Sequence, residues 1–224
     1  MSMIARQLPR AHHALVPFGR IFGKRALSTS LIVHQQNFNS LFSRIINPIG
    51  FAQYQMHKLD LAKAGFDTCT QKLSSERELF LTELGLPQTF YTWFSLTVLH
   101  IWIYSARLRA EGAEGKEYQQ ELFNLLWLDV ELKLNEAGIK KRVGKNIEEL
   151  MAAYYGQILA YDEGLYEGDA IFSAALWRNV YASQKVKPSQ LVGLLSYVRK
   201  QLCHIDNVST EDLLAGKGLL LKDQ

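Results

Sequence analysis

The sequence predicts an all-α protein: a compact bundle of about six main helices in one domain, preceded by a transit peptide and a partly helical N-terminal extension. Three observations lead to this fold class. Apolar residues recur with helical spacing from residue 75 onward. Ser, Asn, Pro and Gly stand at the ends of these stretches, where helices begin and end. No alternating apolar run is flanked by a tight Asn-Gly or Asp-Gly turn, so strands are not predicted.

The charge of the chain changes sign along its length. The 224 residues carry 25 basic and 22 acidic side chains, a net charge of +3. The first acidic residue is Asp60, so residues 1–59 have seven basic side chains and a net charge of +7. Residues 60–224 then have 18 basic and 22 acidic side chains, a net charge of −4. The basic excess therefore belongs to the amino-terminal segment alone.

Residues 1–27 are predicted to be a mitochondrial transit peptide. Residues 1–30 contain five Lys or Arg, several Ser or Thr and no acidic residue, which is the composition of such peptides. Basic and polar residues interrupt every apolar run that a secretory signal would need. The pattern around Leu27 resembles a matrix-protease site, and a second interpretation trims the chain to near Gln35. The alternative is a disordered basic tail that binds nucleic acid or anionic lipid.

The extension, residues 28–73, contains two stretches of helical spacing. They are Asn37–Ile46 and Phe51–Ala64, separated by a boundary at Pro48. Gly65 is expected to end the second helix. A helical domain over residues 74–216 and a tail over residues 217–224 follow.

The helices of the domain are predicted from their capping residues. Ser75 and Glu78 have the spacing of a capping box. Pro87 and Pro188 can open helices, and Gly85, Gly138 and Gly164 can end them. The predicted helices are Glu76–Leu84, Pro87–Glu111, Lys116–Ala137, Asn146–Glu163, residues 170–183 and Pro188–Ile205, with one further turn at Glu211–Ala215.

One helix is unusually apolar. Residues 84–106 contain no Asp, Glu, Lys or Arg, which leaves two interpretations: an inner-membrane span over residues 84–106, or a central helix buried on all sides. Interspersed Thr, Ser, Gln and His favour the buried helix. Arg107 follows on the same stripe and would need an acidic partner if buried. Asp129, Asp162 and Glu163 are candidates that the sequence does not rank.

Catalytic patterns are not found. The sequence contains no P-loop, nucleophile elbow or paired metal-binding histidines, and Cys69 and Cys203 lie too far apart for a zinc motif. We therefore predict no catalytic, cofactor-binding or metal-binding residues. His100, in the apolar helix, raises the alternative of a haem-handling protein, although a hydrogen-bonded core histidine is favoured.

The mature body contains one basic cluster, at Lys140, Lys141, Arg142 and Lys145. Such a cluster can contact ribosomal RNA or anionic lipid headgroups through phosphates. A solvated loop between helices is the simpler alternative.

Several short motifs resemble the ubiquinol–cytochrome c chaperone family, the mitochondrial assembly factors for respiratory complex III. They occur in the family's order across about residues 80–216. They are Phe90–Thr97, Leu99–Trp102, Arg107–Gly112, Trp127-Leu128-Asp129-Val130, Tyr154-Tyr155-Gly156, Tyr161–Gly164, Ala174–Asn179, Tyr197–Gln201 and Glu211–Leu214.

The resemblance implies a chaperone rather than an enzyme, in the mitochondrial matrix and peripheral to the inner membrane. Such a protein binds newly made cytochrome b near the exit of the mitochondrial ribosome, in a heterodimer with a small helical partner. Neither DNA binding nor a cofactor of its own is implied. The candidate contacts for client or partner are four residues of the matching apolar helix: Trp93, Phe94, His100 and Trp102.

Overall fold

The computed structural model describes residues 48–137 and 143–220, and from Ile49 onward the chain forms one compact unit. These residues form seven α-helices and no strand, which confirms the all-α prediction. The helices are α1 (Pro48–Ser75), α2 (Phe90–Leu108), α3 (Gly112–Glu136), α4 (Val143–Glu167), α5 (Asp169–Asn179), α6 (Pro188–Asp206) and α7 (Thr210–Leu214). The transit peptide, the helix predicted at 37–46 and the tail beyond residue 220 lie outside the described residues.

Helix α2 is the centre of the bundle. It contacts α3, α4 and α6, and 15 of its 19 residues are buried. The helix begins three residues later than predicted because the Thr89 side chain caps it, accepting a hydrogen bond from the Thr92 backbone N–H at 3.2 Å. The membrane-span interpretation of residues 84–106 is wrong, since no helix among the described residues combines the length and apolarity of a span. The apolar surface of α2 is covered by neighbouring helices.

Helix α1 continues for ten residues beyond Gly65, so the prediction that this glycine ends a helix is wrong. Gly65 is needed for packing instead. A Cβ atom there would lie 2.5 Å from Cε1 of Tyr104, a ring carried by α2. The bare backbone lets the two helices approach closely. Ala62, Phe66 and Cys69 are buried on the same helix, so this part of α1 belongs to the common core.

The connection from α1 to α2 differs from its prediction. The Ser75 hydroxyl donates to the Lys72 carbonyl at 3.1 Å, so it does not cap the next helix. The following turn, Glu78–Glu83, is π-helical and buries Phe80 at its centre. Gly85 ends this turn as predicted, because its φ of +67° is readily adopted only by glycine.

The junction between α2 and α3 contains a 3₁₀ turn at Arg109–Glu111, followed by Gly112 with a φ of +65°. The chain thus turns directly into α3, four residues earlier than predicted. Arg107 forms an ion pair with Glu111 one turn along this segment, and each side chain is 15% exposed. The prediction of Asp129, Asp162 or Glu163 as the partner of Arg107 is wrong. Glu111 is only four residues away, so it reaches Arg107 within the same segment of chain.

Gly164 does not end α4, which continues to Glu167. A Cβ atom at Gly164 would lie 2.6 Å from the Cα of Phe172, so the glycine allows α5 to pack tightly against α4. Helix α5 ends at Asn179, short of its predicted end, because Ala182 and Ser183 have positive φ angles of 50° and 57°. These two residues turn the chain toward α6.

The last two helices match their predictions closely. Helix α6 begins at Pro188 and ends one residue beyond the predicted Ile205. Helix α7 is a short helix at the position predicted for a single turn. The Ser209 hydroxyl caps it by accepting a hydrogen bond from the Asp212 backbone N–H at 3.1 Å.

Candidate functional site

Three of the four contact residues proposed from the sequence lie in the core. Phe94, His100 and Trp102 are each fully buried. The Trp102 ring lies between Tyr161 and Phe172, with centroid distances of 5.4 and 5.5 Å. A contact between these side chains and another protein would require the bundle to open.

Trp102 also anchors a polar group at the edge of the core. Its indole Nε1 donates to Asp162 Oδ1 at 2.8 Å, and Arg109 Nη1 donates to the same oxygen at 2.8 Å. One carboxylate oxygen therefore ties α2, the 3₁₀ turn and α4 together. Charged hydrogen bonds of this kind are stronger than neutral ones.

His100 is part of a buried aromatic group. Its Nε2 lies 2.7 Å from the Tyr197 hydroxyl, and the Phe80 ring stands edge-on to the imidazole at 5.9 Å. Burial, with a smaller contribution from the positive charge of Lys72, lowers the pKa of His100 to about 3, and a hydrogen bond to the Leu96 backbone opposes both effects. The imidazole is therefore neutral at physiological pH. Haem ligation through Nε2 would require Tyr197 to be displaced from a closed core.

Trp93 is placed differently, at the surface end of α2. Its side chain is half-buried and its ring contacts Phe90, with 5.3 Å between centroids. The ammonium group of Lys133 lies 4.8 Å from the centre of the indole, a cation–π geometry. Of the four predicted residues, Trp93 is the one that lines an open surface.

That surface is a groove of about 720 Å³ between α1 and α3, closed at its base by the start of α2. Its lining is largely apolar. Leu128 and Leu132, one turn apart on α3, are 57% and 53% exposed. The other apolar lining residues are Phe66, Leu73, Leu81, Phe90, Trp93 and Leu125. An apolar segment of another protein would bury these side chains from water.

The rim of the groove is polar and carries both signs of charge. Arg77 donates to the Gln88 side chain at 2.6 Å, and Lys133 lies 4.0 Å from Asp129. Burial raises the pKa of Asp129, and the charge of Lys133 opposes this shift. The charged residues that line the groove are Lys63, Arg77 and Lys133 against Asp67 and Asp129. The net charge is small, so the groove selects mainly for apolar character.

Leu128 and Leu132 were not among the contact residues predicted from the sequence. A signal was present, because α3 also carries Trp127, Val130 and Leu134, which are buried. These three lie within about 60° of one another around the helix axis, and the two leucines lie about 100° to 160° from each of them. The helix therefore carries more apolar residues than one buried face needs. Neither leucine could be assigned to the surface until the neighbours of α3 were known.

The predicted basic cluster is only partly described. Lys145 lies in the first turn of α4, is exposed, and is 3.7 Å from Glu149. Lys140, Lys141 and Arg142 lie outside the described residues. The cluster therefore remains a prediction.

The structure thus defines an all-α protein with an open apolar groove bounded by three helical elements. The chain belongs to the ubiquinol-cytochrome C chaperone family, whose model matches residues 82–220. This finding confirms the resemblance inferred from the short motifs.

Named relatives agree with this membership. The chain is 34% identical over 178 residues to mouse ubiquinol-cytochrome c reductase complex assembly factor 1, covering 77% of this chain and 60% of that protein. It is 33% identical over 153 residues to the mitochondrial protein CBP3 of Saccharomyces cerevisiae, covering 66% of this chain and 45% of that protein. The chain therefore spans between about half and three-fifths of the length of these relatives.

A solved structure has the same fold. The crystal structure of the Cbp3 homolog from Brucella abortus matches with a TM-score of 0.62, covering 82% of this chain and 96% of that one. At 23% sequence identity, the match concerns the fold alone.

Proposed function

We propose that this chain is an assembly chaperone for respiratory complex III that binds newly made cytochrome b. The names of the relatives support the assembly role, and family membership supports a role as a chaperone rather than an enzyme. Cytochrome b is a very apolar membrane protein, whose segments need shielding from water before they are assembled.

The groove between α1 and α3 is the proposed client site. The observation that carries this proposal is the exposure of Leu128 and Leu132 beside Trp93, in a groove of about 720 Å³. Contiguous exposed apolar surface of this kind marks binding sites in soluble proteins. The small net charge of the groove lining suits a client whose segments are mostly uncharged.

The proposal extends to location and partners. A cleaved transit peptide over residues 1–27 would bring the chain to the mitochondrial matrix, where it acts at the face of the inner membrane. A small helical protein accompanies it as a heterodimer. The cluster Lys140, Lys141, Arg142 and Lys145 contacts ribosomal RNA or lipid phosphates near the ribosome exit, and reversing these charges is expected to weaken salt-sensitive co-sedimentation with mitochondrial ribosomes.

Depletion and rescue in cells test the function. Loss of the chain is expected to lower the level of newly made cytochrome b and the activity of complex III, and the wild-type chain should restore both. Unchanged cytochrome b and complex III after depletion would refute the assembly role.

Groove variants then test the site. Leu128→Glu places a charge in the groove and is expected to rescue poorly. Val192→Glu on α6 is the matched control, because Val192 is also exposed and lies away from the groove. Equal rescue by the two variants would refute the groove as the client site.

A further inference from the structure

Gly156, in the middle of α4, is not required by any close packing contact within the described part of the chain. A Cβ atom built there meets no atom within 4 Å. By contrast, a Cβ atom at Gly65, Gly115 or Gly164 would clash with a neighbouring residue. Glycine destabilises a helix interior relative to alanine. At Gly65, Gly115 and Gly164 close packing compensates for this cost, whereas no such contact compensates for it at Gly156.

The residues around Gly156 form an exposed apolar face. Tyr155 and Leu159 are 59% and 71% exposed, and Ala152 is exposed one turn earlier. At 100° per residue, Ala152, Tyr155, Gly156 and Leu159 lie within one 100° sector of the helix. We call these four residues the α4 face. At its centre, the bare backbone of Gly156 allows a second helix to approach closely.

Acidic residues stand at both ends of the α4 face. Glu148 and Glu149 precede it, and Glu163 and Glu167 follow it, all four exposed. Glu149 is paired with Lys145, whereas the other three form no ion pair with another described residue. The two ends are separated by 15 residues between Glu148 and Glu163, about 22 Å along the helix.

The acidic residues at both ends decide which of two helices could pack on the α4 face, a second copy of α4 or a helix of another protein. A second copy of α4 packed on the first in parallel would bring the acidic ends of the two helices together, and in antiparallel packing the same groups would again face acidic residues. Like charges in an interface oppose association. A helix with an apolar centre and basic ends, by contrast, matches both the α4 face and its acidic flanks.

We propose that the α4 face is the docking site for a helix of a partner protein, with small and apolar residues at its centre and Lys or Arg at both ends. The site deepens the proposed function, on which it rests for the existence of a helical partner. It lies on a different helix from the elements that line the client groove. The chaperone would thus hold its partner on α4 and its client between α1 and α3.

Site-specific photo-crosslinking in mitochondria tests this inference. The probe is p-benzoylphenylalanine at position 159 of the full chain, with the same residue at Val192 as the positional control. We expect position 159 to crosslink one protein through a helical segment with an apolar centre and basic ends. In a Gly156→Gln background the yield is expected to fall on the order of tenfold, because the new side chain blocks the close approach.

Gly144→Gln is the matched control variant. Gly144 is also an exposed glycine of α4 with no atom near its missing Cβ, but it lies three turns from Gly156. This variant should leave the crosslink at wild-type yield. Thermal unfolding of purified Gly156→Gln should give a midpoint equal to or above that of wild type, since glutamine favours the helix. If the midpoint is equal or higher, loss of the crosslink in Gly156→Gln results from lost docking and not from misfolding.

Other results would overturn either the inference or the proposed function. A crosslink from position 159 to a second copy, to cytochrome b or to lipid would overturn the inference, as would a yield that Gly156→Gln leaves unchanged or the absence of any crosslink. A Gly156-dependent crosslink to a basic-ended helix in a protein unconnected with complex III would support the docking site and contradict the proposed function.

Discussion

The substitution Gly65→Ala tests how tightly α1 packs on α2. In an exposed helix interior this change would stabilise the protein by about 1 kcal/mol. Here the new methyl group would lie 2.5 Å from Cε1 of Tyr104 and 3.1 Å from its hydroxyl oxygen. The Tyr104 ring is fully buried, and its hydroxyl donates to the Leu213 carbonyl at 2.6 Å. The ring therefore has no free space to move into.

Two costs follow from this geometry. Overpacking of a well-packed core destabilises by about 1–3 kcal/mol. Rotating the ring to relieve the clash would leave the Leu213 carbonyl without its donor, which costs about 1–3 kcal/mol when the group is buried. After the gain of about 1 kcal/mol in helix propensity is subtracted from the two costs together, we expect a net loss of about 1–5 kcal/mol in the free energy of unfolding.

Urea unfolding of the purified chain measures this loss. Gly156→Ala is the control, because its new Cβ meets no atom within 4 Å and should raise stability by up to about 1 kcal/mol. The Tyr104→Leu background should remove most of the Gly65→Ala penalty, since the clashing ring is gone. If Gly65→Ala stabilises the chain as much as Gly156→Ala does, the packing of α1 against α2 is refuted.

Two further predictions concern titratable groups. The folded pKa of His100 is lowered to about 3 by burial, so the unfolded chain binds a proton that the folded chain does not, and stability should fall between pH 6.5 and 3 by on the order of 1 kcal/mol per unit. His100→Gln should flatten this part of the curve, and an unchanged curve would contradict the burial of His100. Burial also raises the pKa of the Cys69 thiol to about 12, while Cys203 is exposed. Iodoacetamide followed by mass spectrometry should label Cys203 alone in the native protein and both thiols after unfolding, and native labelling of Cys69 would contradict its position in the core.

The glycines show where local sequence signals succeed and where they fail. Gly85 ends a helical turn as predicted, because its positive φ is a property of the local backbone. Gly65 and Gly164 were predicted to end helices and instead lie within them. Their role is to admit Tyr104 and Phe172, which are distant in sequence. The sequence of one helix does not show which distant residue will pack against that helix.

The candidate site shows the same division. The aromatic character of α2 was evident from its composition, but Phe94, His100 and Trp102 point into the core while Trp93 lines the groove. Likewise, the pairing of Arg107 with Glu111 depended on the turn that begins at Arg109. Residue type indicated that these side chains matter without indicating which way each one faces.

The sequence by itself determined the all-α class, the positions of the main helices from α2 to α6, and membership in the chaperone family. These follow from periodicity, from capping residues and from motifs, which are all local properties of the chain. Tertiary structure decided which apolar residues stay exposed. Leu128, Leu132 and the α4 face are open because of where the neighbouring helices lie, and burial is a property of that arrangement rather than of any one helix.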